Sequence, residues 1–228
     1  STQAKTLFPY TTLFRSVGNR PRQVIAADID GDGHVDLLTA NSTSGDVSVL
    51  RGMSNGTFTA ITAINVGGGS PFALAAVDLN ADQKLDLITV HRGGSEIKVR
   101  LNNSTAGNVM LTAVTPAQPF TVGANPEDIA VGNLNGDAFP DVVVSNTGSN
   151  NLSILLGQAG GMFGAQTTVG ITGTTPQSVI LAQFNAQDQN LDLASANSGG
   201  TTNHVTTRLG NSNGTFAAST GTISGALN

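Results

Sequence analysis

Residues 21–41 read PRQVIAADIDGDGHVDLLTAN. A proline opens a short run rich in small apolar residues. An acidic, glycine-bearing turn interrupts it, and a second apolar run follows at once. The pattern recurs at residues 71–91 (PFALAAVDLNADQKLDLITVH), 126–146 (PEDIAVGNLNGDAFPDVVVSN) and 176–197 (PQSVILAQFNAQDQNLDLASAN). Pro21, Pro71, Pro126 and Pro176 lie 50, 55 and 50 residues apart. After each copy comes a third alternating run: DVSVLRG, EIKVRLN, NLSILLG and HVTTRLG. Three copies then close on a turn and a phenylalanine, at residues 55–58, 160–163 and 213–216. The second copy has instead a longer irregular segment at residues 102–116, which accounts for its extra length.

The runs are rich in Val, Ile, Leu and Thr and are bounded by Gly, Asn, Asp or Pro, which is a strand signal; helical periodicity is missing. Four short strands in each unit of about 50 residues predict an all-β fold of four β-propeller blades. These span roughly residues 17–70, 71–125, 126–175 and 176–228. A β-sandwich also has many short strands but does not explain four aligned copies. Ala26, Ala27, Ala75, Ala76, Ala130, Gly132 and Ala182 place small side chains in the first run, as suits the strand nearest a crowded axis.

Composition agrees. The 228 residues include 28 Gly and 8 Pro, and only 11% are charged, against roughly 25% in ordinary soluble domains. The net charge is -5, with no basic stripe to neutralise phosphates, so nucleic acid is not an expected partner. No apolar run approaches the ~20 residues of a membrane span. Cysteine is absent, which removes disulfides, thiolate metal sites and thiol nucleophiles. Residues 6–16, TLFPYTTLFRS, match one reading frame of a common sequencing adapter, so residues 1–16 are expected to be non-native. The remainder, 17–228, is expected to be a propeller fragment missing blades or adjacent domains at both ends. Its two outermost faces would then be bare, at a cost on the order of 10 kcal/mol.

The turns carry the chemistry. In the first, Asp28, Asp30, Asp32 and Asp36 occupy positions 1, 3, 5 and 9, and Gly33 permits a sharp bend. Clustered carboxylates repel unless a cation sits among them. Several hard oxygen donors, with the His34 carbonyl at position 7, suit Ca²⁺ better than Zn²⁺. The His34 ring is expected to point to solvent. The second turn offers Asp78, Asn80, Asp82 and Asp86, with Gln83 where the bending glycine stood. The third has Asn133, Asn135, Asp137 and Asp141. The fourth, with Gln183, Asn185, Gln187, Asp188 and Asp192, is expected to hold no metal. An EF-hand is excluded, because position 12 from Asp28 is Thr39 and the flanks are strands.

The turn DIDGDGHVD, the run DLLTAN and the closing NGTF resemble FG-GAP/VCBS-type repeats. The resemblance covers nearly all of residues 17–228 and implies a propeller, usually of about seven blades, with calcium in the turn between two strands of a blade. Carried over by position, the implied ligands are Asp28, Asp30, Asp32, the His34 carbonyl and Asp36. In the second turn they are Asp78, Asn80, Asp82, the Lys84 carbonyl and Asp86. In the third they are Asn133, Asn135, Asp137, the Phe139 carbonyl and Asp141. The resemblance further implies an extracellular or surface-displayed, bacterial secreted protein that mediates cell adhesion or binds a protein or glycan ligand, or an accessory domain of a secreted polysaccharide-degrading hydrolase.

Catalysis is not expected. His34, His91 and His204 read as surface residues, and no GxSxG, HExxH or phosphate-binding glycine loop occurs. Polar segments at residues 41–45, 146–151 and 197–203 are candidate recognition loops. Tryptophan is absent, so platforms for stacking sugars are scarce.

Overall fold

The computed structural model describes residues 16–60, 63–114, 119–185, 188–199, 204–217 and 222–224. Apart from Ser16, the adapter-like segment therefore lies outside the described residues. The described residues form four antiparallel blade sheets in the order of the sequence repeats, and a small two-stranded ribbon, Gly157–Gln158 with Met162–Phe163, in the third unit. No helix among the described residues is long and apolar enough to cross a membrane.

In each blade the first run is the inner strand: Pro21–Ala27, Pro71–Val77, Pro126–Gly132 and Thr174–Ala182. The second run pairs with it as Asp36–Asn41, Asp86–His91, Asp141–Asn146 and Asp192–Gly199. The third follows as Asp46–Gly52, Glu96–Asn102, Asn151–Leu155 and His204–Arg208. The fourth strand departs from the simple expectation. In blade one it is split into Phe58–Ala60 and Ile64–Asn65, which pair with opposite ends of the third strand. Blade two is split in the same way, into Leu111–Ala113 and Phe120–Thr121.

Consecutive inner strands pack side by side, so the acidic turns lie at one end of the axis and the prolines at the other. Between the blades lie three apolar clusters. Leu38, Val49 and Leu87 represent the first, Val90, Val142 and Leu155 the second, and Val143, Ile154 and Leu193 the third. At the second, Phe120 and Phe163 meet edge to face with centroids 5.3 Å apart. An Arg92–Glu127 ion pair also crosses this second joint, and locks from a side chain onto a main-chain amide reinforce the other two. Leu74 N–H donates to Gln23 Oε1 across blades one and two (2.6 Å), and Val179 N–H donates to Asp128 Oδ2 across blades three and four (3.0 Å). Ala73 stands at the matching position of blade two and has no side chain to reach across. On the sides turned away from their neighbours, Val24 in blade one and Ile180 in blade four are more than half exposed.

At the end of the second strand, a buried asparagine ties strand to strand. Asn41 Nδ2 donates to Asp46 and Ser48 (2.8 and 2.9 Å), and Asn146 Nδ2 to Asn151 and Ser153 (2.9 and 2.8 Å). Asn197 Nδ2 donates to Thr206 and to the Thr172 carbonyl. The first residues of the three polar segments singled out above are thus structural and are turned away from solvent. In blade two the position is His91, which corrects the expectation of a surface histidine: it is fully buried, with Nε2 2.8 Å from Thr89 Oγ1. Burial, with the Lys98 and Arg100 charges nearby, pushes its pKa down from 6.5 to about 4.

A lowered histidine pKa favours the neutral ring in the fold. As pH falls below 6.5 the unfolded chain takes up a proton that the folded one refuses, so stability declines until about pH 4. The full loss is about 3 kcal/mol. Chemical denaturation across this range should show the slope, and H91N, which installs the residue of the other three blades, should flatten it.

In three blades a glycine stands where the third run meets the turn. A Cβ at Gly157 would lie 2.2 Å from the Pro140 carbonyl oxygen, and one at Gly52 2.1 Å from that of Val35. G157A should cost about 1–3 kcal/mol in a denaturant melt, whereas G170A, with nothing within 4 Å, should be close to neutral.

Candidate metal centre

Each turn follows the inner strand and is shaped by its own side chains. Asp28 Oδ1 accepts from Gly31 and Asp32 N–H (2.8 and 3.2 Å), and its Oδ2 accepts from Gly33 N–H (2.8 Å). Asp30 and Asp32 accept from the amides two residues on. These are the local turns that Asp readily forms. Here they wrap the chain around a common centre.

The second turn repeats the pattern. Asp78 accepts from Asn80, Asp82 and Gln83 N–H (3.3, 3.2 and 2.7 Å), and Asp82 from Lys84 N–H (2.9 Å). Gly31 and Gly33 have φ of 72° and 86°, and Ala81 and Gln83 match them at 63° and 70°. The missing glycine thus leaves the bend in place and adds backbone strain. The Lys84 side chain turns away to the Ser104 carbonyl (2.8 Å). In the third turn Asn135 and Asp137 accept from Asp137 and Phe139 N–H (3.0 and 2.7 Å). There Asn133 Nδ2 donates to the Asp137 carbonyl, closing the turn on itself.

The last carboxylate of each turn has a structural duty that spacing did not disclose. Asp36 is fully buried and accepts from Ile29 N–H (2.9 Å) and Gly52 N–H (2.8 Å). Asp86 does the same with Leu79 and Asn102, and Asp141 with Leu134 and Gly157. Asp192, in the turn set aside as metal-free, accepts from Phe184 and Gly210 (both 2.8 Å). One side chain thus fastens the turn to the end of the third strand in all four blades. Burial pushes the carboxyls of Asp36, Asp86 and Asp141 above the usual range, and the two amides on each act in the opposite sense.

Among the described residues, one group of three acidic side chains gathers ligand atoms within 4.8 Å of one another: Asp28, Asp30 and Asp36. An all-oxygen set of this kind suits a hard dication. Asp32 is drawn aside. Its Oδ2 is 2.5 Å from Arg51 Nη2, and its Oδ1 is 3.0 Å from His34 Nδ1. The His34 ring pairs with Asp32 while its side chain stays more than a third exposed. Arg51 Nε also lies 2.7 Å from Asp30 Oδ2, which accepts a further bond from Gly107 N–H (2.9 Å). Gly107 belongs to the long segment of blade two, so that segment helps to cap the first turn. Leu101, Leu156 and Leu209 replace Arg51 in the other blades. Hydrogen bonds to Asp30 and Asp32 hold the guanidinium firmly protonated, and the His34 amide chiefly keeps the Asp32 carboxyl below its usual range.

Inner strand, wrapped acidic turn and buried closing aspartate, repeated blade by blade, define a β-propeller built of Asp-turn repeats. The FG-GAP-like repeat family matches residues 28–89 and again 78–144, together about half of the chain, and the chain belongs to that family. No curated protein matches the sequence. Among solved structures, a proposed 6-phosphogluconolactonase from Bacteroides uniformis aligns over 90% of this chain and 57% of its own, with a TM-score of 0.63 and 16% identity. A second, from Bacteroides fragilis, aligns over 85% of this chain and 55% of its own, with a TM-score of 0.62 and 20% identity. At such identity the likeness is one of fold, and the chain spans little more than half the length of either.

The closing carboxylates give a test that is independent of any ion. D192N replaces an acceptor with an amide facing two N–H donors and should lower stability by about 2 kcal/mol, equally with calcium or with chelator. D188N, at an exposed position in the same turn, should change it by less than about 0.5 kcal/mol.

Proposed function

We propose that the chain is a non-catalytic, calcium-stabilised propeller module of a secreted or surface-displayed protein, serving in binding or as a scaffold. The observation that supports it most is the convergence of Asp28, Asp30 and Asp36 in a turn made wholly of oxygen donors. These residues, with the His34 carbonyl, would hold Ca²⁺ in the first turn. Asp78, Asn80 and Asp82 would do so in the second, and Asn135 and Asp137 more weakly in the third. Bound calcium would supply positive charge among carboxylates that otherwise repel. Sites of this exposed kind in extracellular modules have dissociation constants of about 10⁻⁴–10⁻³ M, so they fill outside cells and stay empty in the cytosol.

Arg51 sets the balance at the first turn. Its guanidinium already bridges Asp30 and Asp32 and offsets one of their two charges, and it would have to yield for a dication to take the full set. The binding reading is further supported by where His91 lies: with Thr89 it is sealed inside blade two, out of reach of any substrate.

Thermal unfolding in millimolar calcium, compared with chelator, tests the proposal. Calcium should stabilise by about 1–2 kcal/mol per filled site, and D28N should remove the first turn's share. R51L, which installs the leucine of the other blades, should enlarge the calcium-dependent gain. An unchanged midpoint in the unmodified chain would overturn the calcium reading.

A further inference from the structure

At the proline end of the axis all four inner strands carry the same irregularity. The register against the second strand slips between Pro21 and Gln23, Pro71 and Ala73, Pro126 and Asp128, and Pro176 and Ser178. The extra residue on these β-bulges is Arg22, Phe72, Glu127 and Gln177. Bulges re-aim side chains and recur beside functional sites. In three blades the residue before the proline has positive φ although it is not glycine: Arg20 at 58°, Asn125 at 49° and Thr175 at 58°. Such a conformation persists only where its surroundings hold it.

The flanking positions repeat from blade to blade, but the bulged residue is a cation, an aromatic ring, an anion and an amide in turn. All four line one open depression of about 280 Å³, together with the residue that follows each. A rigid frame thus brings four unlike groups to a single mouth.

Most of the charge there is already matched. Arg92 pairs with Glu127 (3.0 Å), and Asp128 Oδ2 accepts from Ser178 Oγ and Val179 N–H. Arg22 is the exception. Its guanidinium carbon lies 4.2 Å from the Phe72 ring centroid, and Arg92 is 4.9 Å from the same ring. Arg22 Nε reaches Ser42 Oγ at 3.3 Å, and no carboxylate pairs with it among the described residues. The cation is therefore positioned by the ring and exposed to solvent, with donors left for a bidentate anion.

The geometry points to a binding site for a monosaccharide-sized uronate, with its carboxylate on Arg22 and its hydroxyls on the Gln177 amide and Asp128 Oδ1. The volume is at the small end for ligand pockets and suits one sugar ring. Arg92 takes up Glu127, which leaves Arg22 to receive one negative charge, whereas a phosphate dianion would bring twice the charge up to the Asp128 carboxylate. With Phe72 covered by guanidinium groups and tryptophan absent, recognition rests on charge and hydrogen bonds instead of stacking. This deepens the binding role proposed above and rests on it, but not on calcium.

Isothermal titration of the full chain in chelator, with four probes, tests the assignment. D-Galacturonate should bind in the millimolar range or tighter. D-Galactose, D-galactose 6-phosphate and acetate should each bind at least tenfold more weakly. R22Q should weaken galacturonate at least tenfold with an unchanged melting midpoint, and R22K should fall between. Absence of galacturonate binding, an unaffected R22Q, or equal affinity for the phosphate ester or for acetate would each overturn it. Because chelator is present throughout, a failed calcium melt leaves this result intact, and a failed titration leaves the calcium reading intact.

Discussion

In every blade a carboxylate removed from water holds two main-chain amides, one at the entry to the acidic turn and one at the end of the third strand. Asp36, Asp86, Asp141 and Asp192 fill this position without exception. A buried charge of this kind is tolerated only when its oxygens are satisfied, so the two amides and the carboxylate require one another. Three strands of the blade become one unit through a single side chain. The wrap of each turn, and any ion it holds, is set by this anchor. The close approach at Gly52, Gly157 and Gly210 follows from the same contact. Where blade two has Asn102 in place of glycine, its side chain bonds the Leu85 carbonyl and reaches across to that of Ile29 in blade one.

Much of this was legible in the sequence. The period near 50, the prolines and the alternation of apolar residues gave the blades, and the Asp spacing located the turns. What stayed hidden depends on register between strands. Nothing in the spacing of Arg51 shows that a residue near the end of the third strand falls against Asp30 and Asp32. The same holds for Gly107, 77 residues from the carboxylate it bonds. The double role of Asp36 was masked because a ligand and a structural acceptor look alike as letters. Two signals could have been read: Asp192 persists in a turn that opens on Gln183 and Asn185 in place of carboxylates, and His91 stands where three copies have asparagine. Each is a departure between copies of one unit, and such departures reveal what a position must do.

The two ends of the axis divide the work. The acidic turns lie at one end, and the bulged residues gather at the other, separated by inner strands of seven residues in three blades, about 20 Å. The turn end repeats its chemistry and closes each blade. The proline end repeats its backbone and varies its side chains. A scaffold uniform in main chain and diverse in side chains is what recognition on a repeat protein requires.

The joints between blades are not equivalent. Gln23 and Asp128 bind a main-chain amide across the first and third joints, while the middle joint, with Ala73, is held by apolar packing around Phe120 and Phe163 and by the partly exposed Arg92–Glu127 ion pair. Apolar burial loses strength on cooling, and hydrogen bonds do not share that dependence. The middle joint lacks a lock onto a neighbouring main-chain amide, so its apolar packing is the part of the array that chilling loosens most.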